Sequence, residues 1–84
     1  MTSDVDGGAA GESATTWTNG PGDRYAAHSH PYRKTLRCLE GSIVFHLDGG
    51  DRELRAGDEL VIEPGTIHSA TVGGQGVRCA ERHG

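Results

Sequence analysis

Glycine and proline interrupt this chain at short intervals, and that spacing limits what the chain can fold into. Of its 84 residues, 14 are Gly and 3 are Pro. Each Gly inside a helix costs about 1 kcal/mol relative to Ala, and no apolar helical period continues for more than about ten residues. The short segments between the interruptions suit β-strands instead. The sequence therefore predicts an all-β sandwich or barrel of about seven or eight short strands.

The predicted strands are bounded by turn sequences rich in Gly, Pro and Asp. The clearest strand covers residues 42–47, which are rich in β-branched and aromatic side chains. A tight turn at residues 48–51 then leads into a short polar edge strand at residues 52–55. Further strands are predicted at 25–30, 35–39, 59–63, 67–72 and 77–81, with turns at Glu40-Gly41 and at residues 73–76.

Charge and composition exclude several classes of function. Residues 1–16 contain three acidic residues and no basic one, and are predicted to be a disordered acidic tail before a folded domain at residues 17–84. The net charge of -4 and the lack of a basic patch argue against a nucleic-acid binder. No apolar run could span a membrane and no signal peptide is recognised, so a cytoplasmic protein is expected. Cys38 and Cys79 are accordingly predicted to be reduced, small buried hydrophobes.

Three histidines form the candidate chemical site. His28 and His30 lie two apart in an extended segment, so both side chains point to one face. His68 follows a Pro-Gly turn at the start of another predicted strand. Three imidazoles from neighbouring strands would hold a metal ion as a facial tripod and leave positions open for water or substrate.

Two stretches resemble the two sequence motifs of the cupin superfamily. The first motif, a glycine, a His-x-His pair and a second glycine, is matched by Gly22, His28, His30 and Gly41. The second is matched by Gly57, Asp58, Ile62, Pro64, Gly65 and His68. The resemblance covers residues 22–82 and implies a single-domain cupin with an RmlC-like, antiparallel jelly-roll β-barrel.

The resemblance also implies that His28, His30 and His68 are metal ligands, but it fails at the fourth ligand. The family's glutamate position is occupied by Lys34, or by Thr35 with the longer spacing. An ammonium group cannot bind a cation. Three interpretations are open: three histidines hold the metal while Lys34 swings away or binds an anionic substrate; Glu81, Glu40 or Tyr25 replaces the carboxylate; or the metal is lost and an organic ligand occupies the pocket.

Strand alternation identifies further pocket residues. Tyr32 has the same parity as His28 and His30, and Lys34, Leu36 and Cys38 are expected to face the interior. Lys34, Tyr32, Tyr25 and Glu81 are the predicted pocket or substrate-binding residues, and no catalytic residue is assigned. In the jelly-roll topology that the resemblance implies, the strands of Cys38 and Cys79 are neighbours, so a reversible disulfide between them is a hypothesis.

The functional prediction is a small metal-binding cupin. We expect a divalent Fe, Mn, Ni, Cu or Zn ion and an enzyme of the dioxygenase, isomerase or lyase type that acts on a small, anionic or oxygen-chelating molecule. The alternative is a sensor or storage protein that binds a metabolite or metal without turnover. Because so short a chain buries a small core and the resembled family commonly dimerises, a homodimer is expected.

Overall fold

The computed structural model describes residues 14–84, which form six antiparallel strands and no membrane-spanning helix. The strands are β1 (Ala14–Asn19), β2 (Arg24–His28), β3 (Lys34–Leu47), β4 (Gly50–Arg55), β5 (Glu59–Ile62) and β6 (His68–His83). Strand β1 begins earlier than the predicted domain start at residue 17. The rest of the predicted acidic tail lies outside the described residues.

Two long strands, β3 and β6, pair along most of their length and hold the two halves of the fold together. In one half, the start of β3 pairs with the end of β6, with β5 and β1 on the outer sides. In the other half, the end of β3 pairs with the start of β6, flanked by β4 and β2. The two halves enclose one core, and the predicted antiparallel jelly-roll barrel is confirmed.

The predicted strand breaks at Glu40-Gly41 and at residues 73–76 are wrong. Both β3 and β6 continue through these positions, and their pairing shifts register on either side of Gly41. Gly41 and Gly76 have φ angles of 75° and 78°, which glycine adopts without steric cost. Glycines in this conformation form bulges that bend the strands rather than end them. The bends replace two of the expected turns, which is why six strands are found where more were predicted.

The core contains apolar side chains from both halves of the barrel. As predicted from strand parity, Leu36 and Cys38 face the interior, and Val77 and Cys79 do so from the neighbouring strand. The buried apolar residues are Leu36, Cys38, Ile43, Phe45, Leu54, Leu60, Ile62, Ala70, Val72, Val77 and Cys79.

Cys38 and Cys79 lie directly opposite each other on β3 and β6, and both are free thiols. The disulfide considered from the sequence is therefore not part of this structure. The Cys38 Sγ atom lies 3.5 Å from the Glu40 carbonyl oxygen, to which it donates a hydrogen bond. Burial is the main cause that raises the pKa of Cys79 to about 12.

We predict that both thiols are inert in the native protein. Because the thiolate is the reactive form, burial and a raised pKa should slow alkylation at pH 8 roughly a hundredfold relative to the unfolded chain. Mass spectrometry after iodoacetamide treatment, with and without denaturant, measures this. Rapid labelling of the folded protein at both positions would contradict the buried placement.

A second prediction concerns the bend at Gly41. An Ala at this position would need a left-handed backbone and would overlap the Gly76 carbonyl oxygen. Gly22 has a φ of 76° but open space around it, so Gly22→Ala is the matched control. We expect a loss of about 1–2 kcal/mol in unfolding free energy for Gly22→Ala, and a clearly larger loss for Gly41→Ala. Equal losses in urea denaturation would show that the close approach of the two strands is unimportant.

Candidate metal centre

The three predicted histidines meet at one end of the barrel. His28 ends β2 and is the cross-strand partner of His68, which begins β6. His30 lies in the loop after β2, and its carbonyl oxygen accepts a 2.8 Å hydrogen bond from the Gly65 amide. This bond ties the His30 loop to the Pro64-Gly65 turn that precedes His68. The two sequence motifs are thus brought together by backbone hydrogen bonds as well as by side chains.

The possible ligand atoms of His28, His30 and His68 all lie within 4.8 Å of one another. Two nitrogens bound to one ion at about 2.1 Å can be at most about 4.2 Å apart. A small rotation of the rings therefore suffices for one ion to contact all three. His68 is buried, His30 is half-buried and His28 is exposed, so the group connects the interior with solvent.

Backbone carbonyls orient two of the imidazole rings. The Nδ1 atom of His28 lies 2.7 Å from the Ala26 carbonyl oxygen, and that of His68 lies 2.9 Å from the Thr66 carbonyl oxygen. Because a carbonyl oxygen only accepts, Nδ1 must carry the proton and donate it in both pairs. The lone pair is then on Nε2, which is how metal-binding histidines are commonly held.

His30 provides the most direct test of whether a metal ion fits. Its Nε2 atom is buried and is the one such side-chain atom without a hydrogen-bond partner among the described residues. Its Nδ1 atom lies 3.2 Å from the Tyr32 hydroxyl. A buried polar atom without a partner costs about 1–3 kcal/mol, and a metal ion would satisfy it. The three histidines therefore fit a metal ion.

Burial lowers the pKa of His30 and of His68 below the ordinary value of 6.5, and the positive charge of Lys34 acts in the same direction. In His68, the hydrogen bond to the Thr66 carbonyl partly opposes this shift. A lowered pKa keeps the imidazole neutral at physiological pH, and neutral imidazole is the form that binds metals.

Lys34 does not join the ligand group, and it does not swing out into solvent. Its Nζ atom lies 3.4 Å from Glu81 Oε1, and the two side chains are only 15% and 14% exposed. Glu81 Oε1 also accepts a 2.8 Å hydrogen bond from the Trp17 indole nitrogen. Glu81 Oε2 lies 2.8 Å from His83 Nε2. Two groups besides Lys34 thus hold this carboxylate on the cavity wall.

The other proposed replacements for the missing carboxylate lie elsewhere. Glu40 pairs with Arg78 at an exposed position. The Tyr25 hydroxyl donates a hydrogen bond to the Asn19 side-chain oxygen, although its ring lines the cavity. Among the described residues, the group with ligand spacing consists of histidines alone.

Tyr32 lies beside the histidines, stacked between two imidazole rings. Its ring centroid is 4.9 Å from that of His30 and 4.2 Å from that of His83. His83, although exposed, thus connects Tyr32 with Glu81. Strand parity could have predicted that His83 lies near Glu81, because the side chains of residues 79, 81 and 83 lie on the same face of β6.

A cavity of about 220 Å³ opens next to His28. Its wall is largely apolar, with one ion pair. The lining residues are Trp17, Tyr25, His28, Lys34, Leu36, Phe45 and Glu81. Of the four predicted pocket residues, the structure places Lys34, Tyr25 and Glu81 on this wall and Tyr32 beside His30.

Comparison with known proteins supports one family. The family model described as Cupin domain matches residues 15–79. The chain is 41% identical over 54 residues to quercetin 2,3-dioxygenase of Bacillus subtilis, covering 62% of this chain and 16% of that enzyme. It is 36% identical over 61 residues to dimethylsulfoniopropionate lyase DddW of Ruegeria pomeroyi, covering 73% of this chain and 40% of that enzyme.

Solved structures show the same fold. An uncharacterized conserved protein with a double-stranded β-helix domain from Klebsiella pneumoniae superposes with a TM-score of 0.75 at 27% identity, covering 86% of this chain and 65% of that one. An RmlC-like cupin from Shewanella frigidimarina gives 0.77 at 22% identity, with 86% and 64% covered. The chain thus spans less than two thirds of the length of these relatives.

The lowered pKa values of His30 and His68 predict a pH-dependent stability. Unfolding returns both pKa values to their ordinary value, so the unfolded chain binds more protons as the pH falls below 6.5. The free energy of unfolding of the metal-free protein should have its full value above pH 6.5 and should decrease as the pH is lowered from there. Urea denaturation at pH 7.5 and 5.5 measures the difference. The His68→Gln variant should lose less stability on acidification, and an unchanged loss would contradict this account.

Proposed function

Since the chain belongs to the cupin family, we propose that it is a metal-dependent enzyme acting on a small molecule in the cavity beside its three histidines. The observation that carries this proposal is the convergence of His28, His30 and His68 within 4.8 Å. The unpartnered, buried Nε2 atom of His30 supports it. A packing role would not require three imidazoles to present their nitrogens to one point.

The donor set favours some metals over others. Imidazole suits Zn, Cu, Fe and Ni, whereas Mn is better matched by carboxylate and water. With three imidazole nitrogens as ligands and Lys34 nearby, we rank Mn below the other candidates. A bound ion would supply Lewis-acid or oxygen-activating chemistry at the positions that the histidines leave open.

The chain's own side chains select and hold the substrate. Leu36, Phe45 and the rings of Trp17 and Tyr25 present an apolar wall that displaces water from one side of the cavity. The volume of about 220 Å³ is below the roughly 300–1,000 Å³ of sites for drug-sized ligands. The cavity therefore favours a short-chain substrate over a polycyclic one. Of the two substrates in the relatives' names, dimethylsulfoniopropionate is the better match in size and quercetin the poorer.

We also propose a homodimer, which stays a prediction together with the cytoplasmic location. The small core and the exposed apolar side chains Leu39, Val61 and Ile67 support association with a second copy. Sedimentation at micromolar concentration should give twice the 8.8 kDa mass of the chain. A single species at the monomer mass would rule the dimer out.

The metal content of the purified protein tests whether the chain binds a metal ion. Protein purified without a histidine tag, and incubated separately with Fe(II), Mn(II), Ni(II), Cu(II) and Zn(II), should retain about one ion per chain of at least one metal. His68→Ala and His30→Ala should reduce retention about tenfold or more. His46→Ala is the matched control, because His46 lies outside the cluster and contacts Asp51 and Thr71. No retention of any of the five ions by the wild-type protein would contradict the proposal.

Turnover separates the enzyme from a protein that only binds. The loaded protein should convert a short-chain substrate, with dimethylsulfoniopropionate as the first compound assayed and His68→Ala as the inactive control. Tight metal binding without turnover of short-chain carboxylates, or of quercetin with oxygen, would favour the sensor or storage alternative.

A further inference from the structure

We propose that Lys34 makes the cavity a binding site for small monocarboxylates, and that Glu81 is the fixed counter-ion that positions the Lys34 ammonium. This inference rests on the proposed function, since it concerns the same cavity, and it adds the chemical class of the ligand. It also gives a physical role to the lysine that stands where the family has a metal-binding glutamate.

The hydrogen-bonding capacity of the two partners is unequal. Glu81 has three donors around it, because Trp17 and His83 as well as Lys34 contact its oxygens. Lys34 has three N–H donors but contacts one acceptor, Glu81, among the described residues. Its side chain is only 15% exposed, so water has limited access to the remaining donors. The Lys34 ammonium therefore has N–H donors left for a ligand in the cavity, whereas the Glu81 oxygens already have donors.

Charge indicates which anion fits. Because Glu81 already balances the Lys34 ammonium, a ligand can bind only through the N–H donors that Glu81 leaves unused, and the Glu81 carboxylate would repel a dianion such as phosphate more strongly than a monoanion. A monocarboxylate carries a single charge and two acceptor oxygens. Charge-assisted hydrogen bonds of this kind are roughly twice as strong as neutral ones. The apolar rings of Trp17 and Tyr25 then suit a short hydrocarbon body attached to the carboxylate.

Trp17 supplies an internal reporter of ligand binding. It is the single Trp of the chain, and its indole nitrogen shares the Glu81 Oε1 atom with Lys34. A carboxylate that draws the Lys34 ammonium toward itself changes the surroundings of that indole. Tryptophan fluorescence can therefore follow binding with and without metal, and independently of any turnover.

The test uses propionate and propionamide, which have nearly the same shape and differ in charge. With EDTA present, so that no bound ion attracts the anion, wild-type protein at pH 7.5 should bind propionate at least tenfold more tightly than propionamide. Lys34→Met keeps an apolar side chain of similar length and should abolish this preference. Arg37→Met removes the same charge from the outer face of β3, where Arg37 pairs with Glu59, and should leave the preference unchanged.

A second variant changes the other partner of the ion pair and keeps the inference testable if Lys34→Met does not fold. Glu81→Gln removes the internal anion that competes for Lys34, so propionate should bind more tightly than to wild type. Three results would each overturn the inference. The wild-type protein could bind both ligands equally or neither of them. Lys34→Met could retain the preference for propionate, or Glu81→Gln could bind propionate no more tightly than wild type.

Metal retention measured on the same protein preparations before EDTA is added separates the two proposals. Wild-type protein that discriminates propionate from propionamide but retains no metal would contradict the proposed function and leave the carboxylate site standing. Protein that retains metal without discriminating the two ligands would overturn the carboxylate site alone.

Discussion

The close approach of β3 and β6 at Gly41 and Gly76 is the constraint on which the barrel depends. A side chain at Gly41 would overlap the Gly76 carbonyl, and both glycines have left-handed backbones. These bends let each long strand serve two halves of the fold, so a short chain encloses a core with few connections. The same arrangement pairs the end of β2 with the start of β6, and so places His28 opposite His68.

The electrostatics of the site follow from this geometry. Two of the three imidazoles at this end of the barrel, those of His30 and His68, are partly removed from water, and burial together with the nearby ammonium of Lys34 lowers their pKa values and favours their neutral forms. Where a carboxylate would offset the charge of a bound ion, this chain instead has a lysine whose charge Glu81 balances. A bound ion would thus keep its full charge, and that charge favours an anionic ligand in the open positions.

The sequence was sufficient to predict the fold class and the clustering of the three histidines, because two motifs with defined spacing resemble one family over most of the chain. It failed at Gly41 and at residues 73–76. A glycine that bends a strand and a glycine that ends one look alike locally, and only the long-range pairing of β3 with β6 distinguishes them. The Lys34–Glu81 pair and its contact with His83 could be suspected from strand parity, but not the bond from Trp17, since β1 and the end of β6 are distant in sequence.

We propose that a metal ion in this cupin is bound by three histidines and by no carboxylate of the chain. A crystal structure of the zinc-loaded protein, with the ion located by anomalous scattering, tests it most directly. We expect nitrogen ligands from His28, His30 and His68, with Glu81 still paired to Lys34 and the remaining position filled by water or an added carboxylate. Zinc bound by Glu81, or by fewer than these three histidines, would contradict it.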